Sequence, residues 1–212
     1  MAHVFQHSRS SSTAAVRPAR GLLAEMVEVL VLALAIYLVI SFAVQTVHVV
    51  GSSMFPTLVN SDYLIASKLD YRFHNPSRGD IIIMRDPYDQ SKDFIKRVVG
   101  MPGERILIRA GQVYINGRLL DEPYLKNTEG WTVNANLNDP GGDPQGLLIP
   151  KGYYFVMGDN RNHSSDSRFF GPVRRDQIEA RALFRVLPLN QFGAVGGASP
   201  HLAAGSVLAG LG

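Results

Sequence analysis

Residues 29–44 carry no charged side chain, and with the flanking Met26 and Val47 the apolar stretch is long enough to cross a bilayer, which takes about 20 residues as a helix. No feature restricts the fold more, because a run of this length divides the chain into a short tail, an anchor and everything after it. Glu25 and Glu28 stand one helical turn apart at its start, where they reach the interface and not the hydrocarbon. Arg9, Arg17 and Arg20 precede the run without a single acid, and no basic residue follows until Lys68. The excess of basic residues on one side predicts a cytoplasmic N-terminus and an exported remainder. Two other readings of the segment exist. Ser41-Phe42-Ala43 has the small-residue alternation of a signal-peptide cleavage site, and the acid-free, Arg/Ser-rich start also suits an organellar transit peptide.

The organisation expected is a cytoplasmic tail over 1–21, a transmembrane anchor over 22–47, an extracytoplasmic domain over 48–190 and a flexible tail over 191–212. Short runs rich in Val, Ile, Tyr and Phe follow the anchor, at Tyr63 to Ala66, Asp80 to Met84, Phe94 to Val99, Arg105 to Ile108, Val113 to Ile115, Tyr153 to Met157 and Ile178 to Val186. Turn residues separate them, and Asn116-Gly117 predicts a tight hairpin. The pattern is that of a mainly β, antiparallel domain. Residues 124–147 turn to Asn, Asp, Gly and Pro and read as an extended surface loop.

Composition removes several function classes. Lys+Arg 21 against Asp+Glu 18 gives a net charge of +3, and no basic run with interleaved aromatics marks a nucleic-acid partner. With Cys 0 there is neither a disulfide nor a catalytic thiol, and the six histidines show no metal-ligand spacing. Neither a metal nor a nucleic acid is expected.

Three stretches carry candidate chemistry. The first is Gly51-Ser52-Ser53-Met54-Phe55-Pro56-Thr57-Leu58, just outside the anchor, where Pro56 favours a rigid turn presenting one side chain. A serine needs a base to act as a nucleophile, and no histidine lies in a motif that marks one. The second stretch supplies a lysine, Lys96 in Phe94-Ile95-Lys96-Arg97-Val98-Val99-Gly100. Strand alternation puts Lys96 on one face with Phe94 and Val98. At pH 7 an ordinary lysine, pKa ~10.4, is neutral in about one molecule in 2,500, so base chemistry requires burial to lower that pKa. A lysine snorkelling from a half-buried strand fits this stretch equally. The third stretch, Met157 to Arg168, is dense in hydrogen-bonding groups that must satisfy one another, with Ser164 able to orient the Lys96 amine and Asp166 and Arg168 able to brace the loop.

Together, Ser53-Met54-Phe55-Pro56-Thr57-Leu58, Arg78-Gly79-Asp80-Ile81-Ile82, Ile95-Lys96-Arg97-Val98-Val99-Gly100-Met101-Pro102-Gly103 and Gly158-Asp159-Asn160-Arg161 through Asp166-Ser167-Arg168 resemble the type I signal peptidases, membrane-anchored proteases with a Ser/Lys dyad. The resemblance covers most of residues 25–187. It implies Ser53 as nucleophile, Lys96 as general base, Ser164 as the serine that positions the lysine and Gly158 as the small residue beside it. Asp166, Arg168, Arg97 and Asp159 match supporting positions, with Arg97 and Asp159 expected to pair. Met54, Leu58, Phe94 and Ile95 match substrate-binding positions.

The implied fold is a β-barrel-like catalytic domain behind one transmembrane helix, and the implied substrates are signal peptides of exported preproteins. The implied partner besides substrate is the lipid bilayer, and neither a metal nor an organic cofactor is implied. Some members carry a serine two positions before the nucleophile where this chain has Gly51, so oxyanion support falls to backbone N–H groups. Lysine at position 96, where endoplasmic-reticulum relatives have histidine, points to the bacterial plasma membrane ahead of an organellar inner or thylakoid membrane. Two further functions are compatible with parts of the pattern. A Ser/Lys autoprotease of the SOS-repressor type shares the dyad, but lacks the anchor. A tethered β module that binds exported peptides would use the same motifs structurally.

Overall fold

A computed structural model describes residues 21–125, 146–196 and 199–207. The chain forms two compact units, residues 1–39 and residues 40–212. The described part of the first belongs to helix α1, Leu22–Ala43, none of whose side chains is buried. At 1.5 Å per residue such a helix is ~33 Å long, the thickness of a bilayer core.

The anchor expected to run to 47 ends at Ala43. Val44–His48 instead forms strand β1, paired antiparallel with β2, Tyr63–Ser67, from Val44 opposite Ser67 to His48 opposite Tyr63. The β-branched residues Val44, Thr46 and Val47 favour this extended pairing over another helical turn.

After β2 come the single helical turn α2, Asp70–Phe73, then β3, Ile81–Arg85, and β4, Asp93–Gly100. A second group follows: β5, Arg105–Arg109, β6, Gln112–Ile115, and β7, Arg118–Asp121. Asn116 and Gly117 join β6 to β7 with φ of 50° and 76°, the left-handed geometry their residue types predict. The remainder comprises β8 (Leu147–Leu148), β9 (Tyr153–Met157), α3 (Ser167–Phe170), β10 (Val173–Arg174), β11 (Ile178–Leu187), β12 (Gly193–Ala194) and β13 (His201–Val207).

These strands make two antiparallel sheets. The larger has the order β1-β2-β11-β3-β4-β9-β10 with β12 added on β11, and the smaller the order β13-β7-β6-β5-β8. Strand β4 is interior, hydrogen-bonded to β3 on one side and β9 on the other, so whatever it carries is held on both sides. Val99, Phe155 and Met157 of the larger sheet join Ile106, Ile115, Leu120 and Ile149 in one apolar cluster that welds the two sheets. The approach is close enough at Gly100 that a Cβ there would lie 2.4 Å from Ile149 Cδ1.

The flexible tail expected over 191–212 is corrected in part. Gly193–Ala194 pairs with β11, and His201–Val207 pairs with β7. A glycine- and alanine-rich segment has little strand preference of its own, so pairing partners decide its structure. The buried Arg97 guanidinium also recruits this segment, donating to the Gly196 carbonyl at 2.9 Å. Most of the surface loop expected over 124–147 lies outside the described residues; its start, Pro123–Leu125, is a single 3-10 turn with Tyr124 buried.

Candidate active site

Lys96 sits in the middle of β4, opposite Ile82 of β3. Its neighbours along the strand, Phe94 and Val98, pack with Ile82, Met84 and Val156 in one apolar cluster. The lysine is 3% exposed. Its Nζ lies 3.1 Å from Ser53 Oγ and 3.1 Å from the Ile95 carbonyl oxygen, to which it donates. Burial lowers its pKa to about 8, against the opposing pull of the Asp166 carboxylate. Desolvation wins because the ammonium loses water on nearly every side.

Ser53 stands on a turn pinned at both ends. The Phe55 N–H donates to the Ser52 carbonyl and the Leu58 N–H to the Met54 carbonyl. Asn160 grips the turn from the far loop, donating its backbone N–H to the Ser53 carbonyl at 2.9 Å and its side-chain amide to the Ser52 carbonyl at 3.1 Å. Among the described residues nothing accepts the Ser53 N–H. Gly51 has φ of 95° and donates its N–H to Asn60 Oδ1. A side chain at Gly51 would strain that backbone, which gives a local reason for glycine where a serine stands in some relatives of this pattern.

The third stretch forms the wall behind the lysine. Gly158 leaves space that a Cβ would fill, 2.2 Å from Ser164 Oγ and 2.4 Å from the Ser53 carbonyl oxygen. Its N–H donates to Asp166 Oδ2 at 3.0 Å. Asp166 in turn receives two hydrogen bonds from the Arg168 guanidinium, both at 2.8 Å, and caps α3 through the Arg168 N–H. Ser164 is buried beside Gly158, but the hydrogen bond expected between it and Lys96 is not made; its Oγ has no partner among the described residues, and the amine bonds Ser53 and the Ile95 carbonyl.

Arg97 points into the protein on the face away from Lys96 and forms the expected pair with Asp159. Its Nε and Nη2 donate to the two carboxylate oxygens at 2.8 and 2.7 Å, with the side chains 0% and 1% exposed. The Gly79 and Gly196 carbonyls take its remaining hydrogen bonds, and its guanidinium lies 4.0 Å from the Tyr124 ring centroid. Thr57, four residues after Ser53, donates its hydroxyl to the same Asp159 carboxylate. The pair therefore ties β4, the serine turn and the loop after β9 into one frame.

Ser53 and Lys96 open onto a cleft of about 770 Å³ running between residues 45–54 and residues 92–96. Met54, Phe94 and Ile95, three of the four residues matched to substrate-binding positions, line it. Leu58 does not; it is fully buried in the core with Leu64, Ala66 and Ile81. The turn from Ser53 to Leu58 thus faces the cleft at one end and anchors in the core at the other. Thr57, Tyr124 and Asn160 are contributors that pattern reading missed. Asn160 lies inside a motif whose polar density was the available signal, whereas nothing in the sequence around Tyr124 announces that it covers Arg97. Among the described residues no group of His, Asp and Glu is arranged to hold a metal ion.

The sequence pattern described as signal peptidase, peptidase S26, matches residues 23–187. A probable signal peptidase I-1 of Synechocystis is 35% identical over 81% of this chain and 86% of its own length. A signal peptidase I of Leptolyngbya laminosa is 36% identical over 74% of this chain and 75% of its own. Signal peptidase IB of Staphylococcus aureus is 32% identical over 82% and 93%. A crystal structure of a signal peptidase I from Enterococcus faecalis, 37% identical, covers 51% of this chain and 97% of its own with a TM-score of 0.42. The family match spans the stretch that bears Ser53, Lys96 and the loop after β9, and the chain belongs to the signal peptidase family, peptidase S26, as a protease of the signal peptidase I type.

Proposed function

We propose that the chain removes signal peptides from exported preproteins, with Ser53 as nucleophile and Lys96 as its general base, while residues 22–43 hold it in the membrane. The observation that carries this reading is the 3.1 Å separation between Lys96 Nζ and Ser53 Oγ, with the lysine buried and its pKa lowered to about 8. At pH 7 that pKa leaves about one molecule in ten with a neutral amine, against one in 2,500 for an ordinary lysine.

In the first half-reaction the neutral amine takes the Ser53 hydroxyl proton as Oγ attacks the carbonyl carbon at the end of the signal peptide. The carbonyl π electrons move to oxygen, and the Ser53 N–H, which has no acceptor among the described residues, is the donor we assign to that negative charge. Collapse breaks the C–N bond, and the Lys96 ammonium returns the proton to the departing amine of the mature chain. In the second half-reaction Lys96 takes a proton from water, whose oxygen attacks the acyl ester, and Ser53 leaves as the hydroxyl. Met54, Phe94 and Ile95 line the cleft beside the reacting groups, where they would restrict the side chains that fit.

Arg9, Arg17 and Arg20 before the anchor favour a cytoplasmic N-terminus and an exported catalytic unit. The bacterial relatives favour the plasma membrane as the site of action. Holding enzyme and substrate in one membrane raises their encounter rate without added contacts. The test is cleavage of a preprotein by full-length enzyme carrying Ser53→Ala or Lys96→Ala. Both variants should lose activity by several orders of magnitude; wild-type cutting by either would remove the dyad from the mechanism.

A further inference from the structure

Away from the cleft, a groove of about 690 Å³ is lined by Arg72, Phe73, Lys151, Arg174, Arg175 and Asp176 with their neighbours. Its charge is unbalanced. Asp176 pairs with Arg174 at 3.0 Å, whereas Arg72, Lys151 and Arg175 have no carboxylate partner among the described residues. Several cations elsewhere in the same unit are matched, Arg78 with Glu104, Arg85 with Glu179, Arg181 with Asp70 and Asp80, and Arg185 with Asp62; Lys68, Arg109 and Arg118 also lack a carboxylate partner among the described residues, but none of them lines this groove. Arg175 is also held rigidly. Its Nη2 donates to the Tyr71 and His74 carbonyls and its Nη1 to the Ile178 carbonyl at 3.5 Å, while its Nε is buried and has no acceptor among the described residues.

One lining residue of the groove touches the last turn of α1. Arg72 places its guanidinium 4.4 Å from the centroid of Phe42, in that turn. The Lys68 N–H, just before α2, donates to the carbonyl of Ala43, the last residue of that helix. Phe73, on the groove, is 76% exposed. Arg72, with Phe73 next to it, thus stands beside the last turn of an apolar helix long enough to cross a bilayer, where a basic side chain and an aromatic one are both favoured.

We infer that this groove binds the phosphate of an anionic lipid headgroup, with Arg72, Lys151 and Arg175 supplying charge and Phe73 meeting the glycerol and acyl region. The exposed Arg72 suits this task because a guanidinium's planar donors engage two phosphate oxygens at once, while Arg175, whose donors are held by backbone carbonyls, contributes fixed positive charge. The inference rests on the proposed membrane anchoring, and it assigns the groove no part in bond cleavage.

The test uses the full-length protein in neutral maltoside micelles, titrated separately with dihexanoylphosphatidylglycerol, dihexanoylphosphatidylcholine and inorganic phosphate. The Gly152 amide and Arg175 Nε NMR resonances report binding. The anionic lipid should shift both saturably, and the other two should bind about tenfold more weakly or worse. The double variant Arg72→Gln, Lys151→Gln, both exposed positions, should weaken the anionic lipid by about tenfold or more while the rest of the spectrum is unchanged. Equal binding of phosphatidylcholine or free phosphate, absence of shifts, or wild-type affinity in the double variant would each overturn the inference. Cleavage of a soluble signal-peptide substrate in the same micelles separates the two proposals. Failure of the lipid site leaves Ser53-dependent cutting intact, and failure of the dyad leaves the lipid shifts intact.

Discussion

Gly158 and Ser164 pack so tightly that a Cβ on the glycine would lie 2.2 Å from the serine Oγ, and the Ser53 carbonyl oxygen would be 2.4 Å away on the other side. Ser53 is the nearer constraint on function, because a backbone atom cannot rotate aside. In Gly158→Ala the added methyl must displace both Ser164 and the Ser53 carbonyl, and with it the turn that presents the Ser53 hydroxyl to Lys96. A shift of about 1 Å in reacting groups costs on the order of a hundredfold in rate, and overpacking costs ~1–3 kcal/mol in stability. Preprotein cleavage and urea unfolding of the same sample should show both losses.

Arg97 and Asp159 are the frame under the site. Lysine cannot reproduce two parallel hydrogen bonds to one carboxylate together with bonds to the Gly79 and Gly196 carbonyls. Arg97→Lys leaves Asp159 and two carbonyls short of donors in a buried place, and should lower unfolding free energy by ~3 kcal/mol or more. The urea midpoint measures it, and an unchanged midpoint would contradict the pair's structural role.

Asp166 acts on Lys96 at a distance. Its negative charge is the largest influence opposing desolvation, holding the lysine pKa up. Asp166→Asn removes that charge and leaves Arg168, whose positive charge pushes the same way as burial. The acid limb of the rate profile should therefore move to lower pH, even as the uncompensated arginine weakens the fold. A brace alone would lower the rate without moving the limb, so the pH profile of kcat/KM distinguishes the two roles.

Lys96 itself should cost stability. A pKa of about 8 in the folded protein and 10.5 when unfolded means that the unfolded chain binds more protons between those values. Stability from this residue is therefore lowest below pH 8 and rises as pH climbs towards 10.5. Lys96→Met, similar in length and uncharged, should raise unfolding free energy at pH 7 by up to about 3 kcal/mol while abolishing cleavage. Urea denaturation at pH 7 and pH 10 should show the advantage shrinking at the higher pH.

Much of this was legible because two periodicities are strong. The uncharged run at 29–44 reads as a helix, which ends at Ala43, and the Val/Ile-rich runs between turn residues give the strands to within a residue or two, including Tyr153–Met157 without error. The local stretches around Ser53 and Lys96 fit a structural role as well as a chemical one, and the resemblance of four ordered motifs to the type I signal peptidases singled the two residues out. What escaped depended on partners far along the chain. Val44–His48 left the anchor because Tyr63–Ser67 pairs with it. Gly193–Ala194 and His201–Val207 became strands through the edges offered by β11 and β7. Leu58 reads as a neighbour of the nucleophile, yet the turn carries it into the core. Tyr124 covers Arg97 across a separation of 27 positions that no local pattern encodes.

The central claim is that burial makes Lys96 a usable base for Ser53 near neutral pH. The pH dependence of kcat/KM for preprotein cleavage tests it most directly, since that ratio titrates groups of the free enzyme. The acid limb should have its midpoint near the Lys96 value of about 8. A limb at ~10.4, the value of an ordinary lysine, would contradict the account.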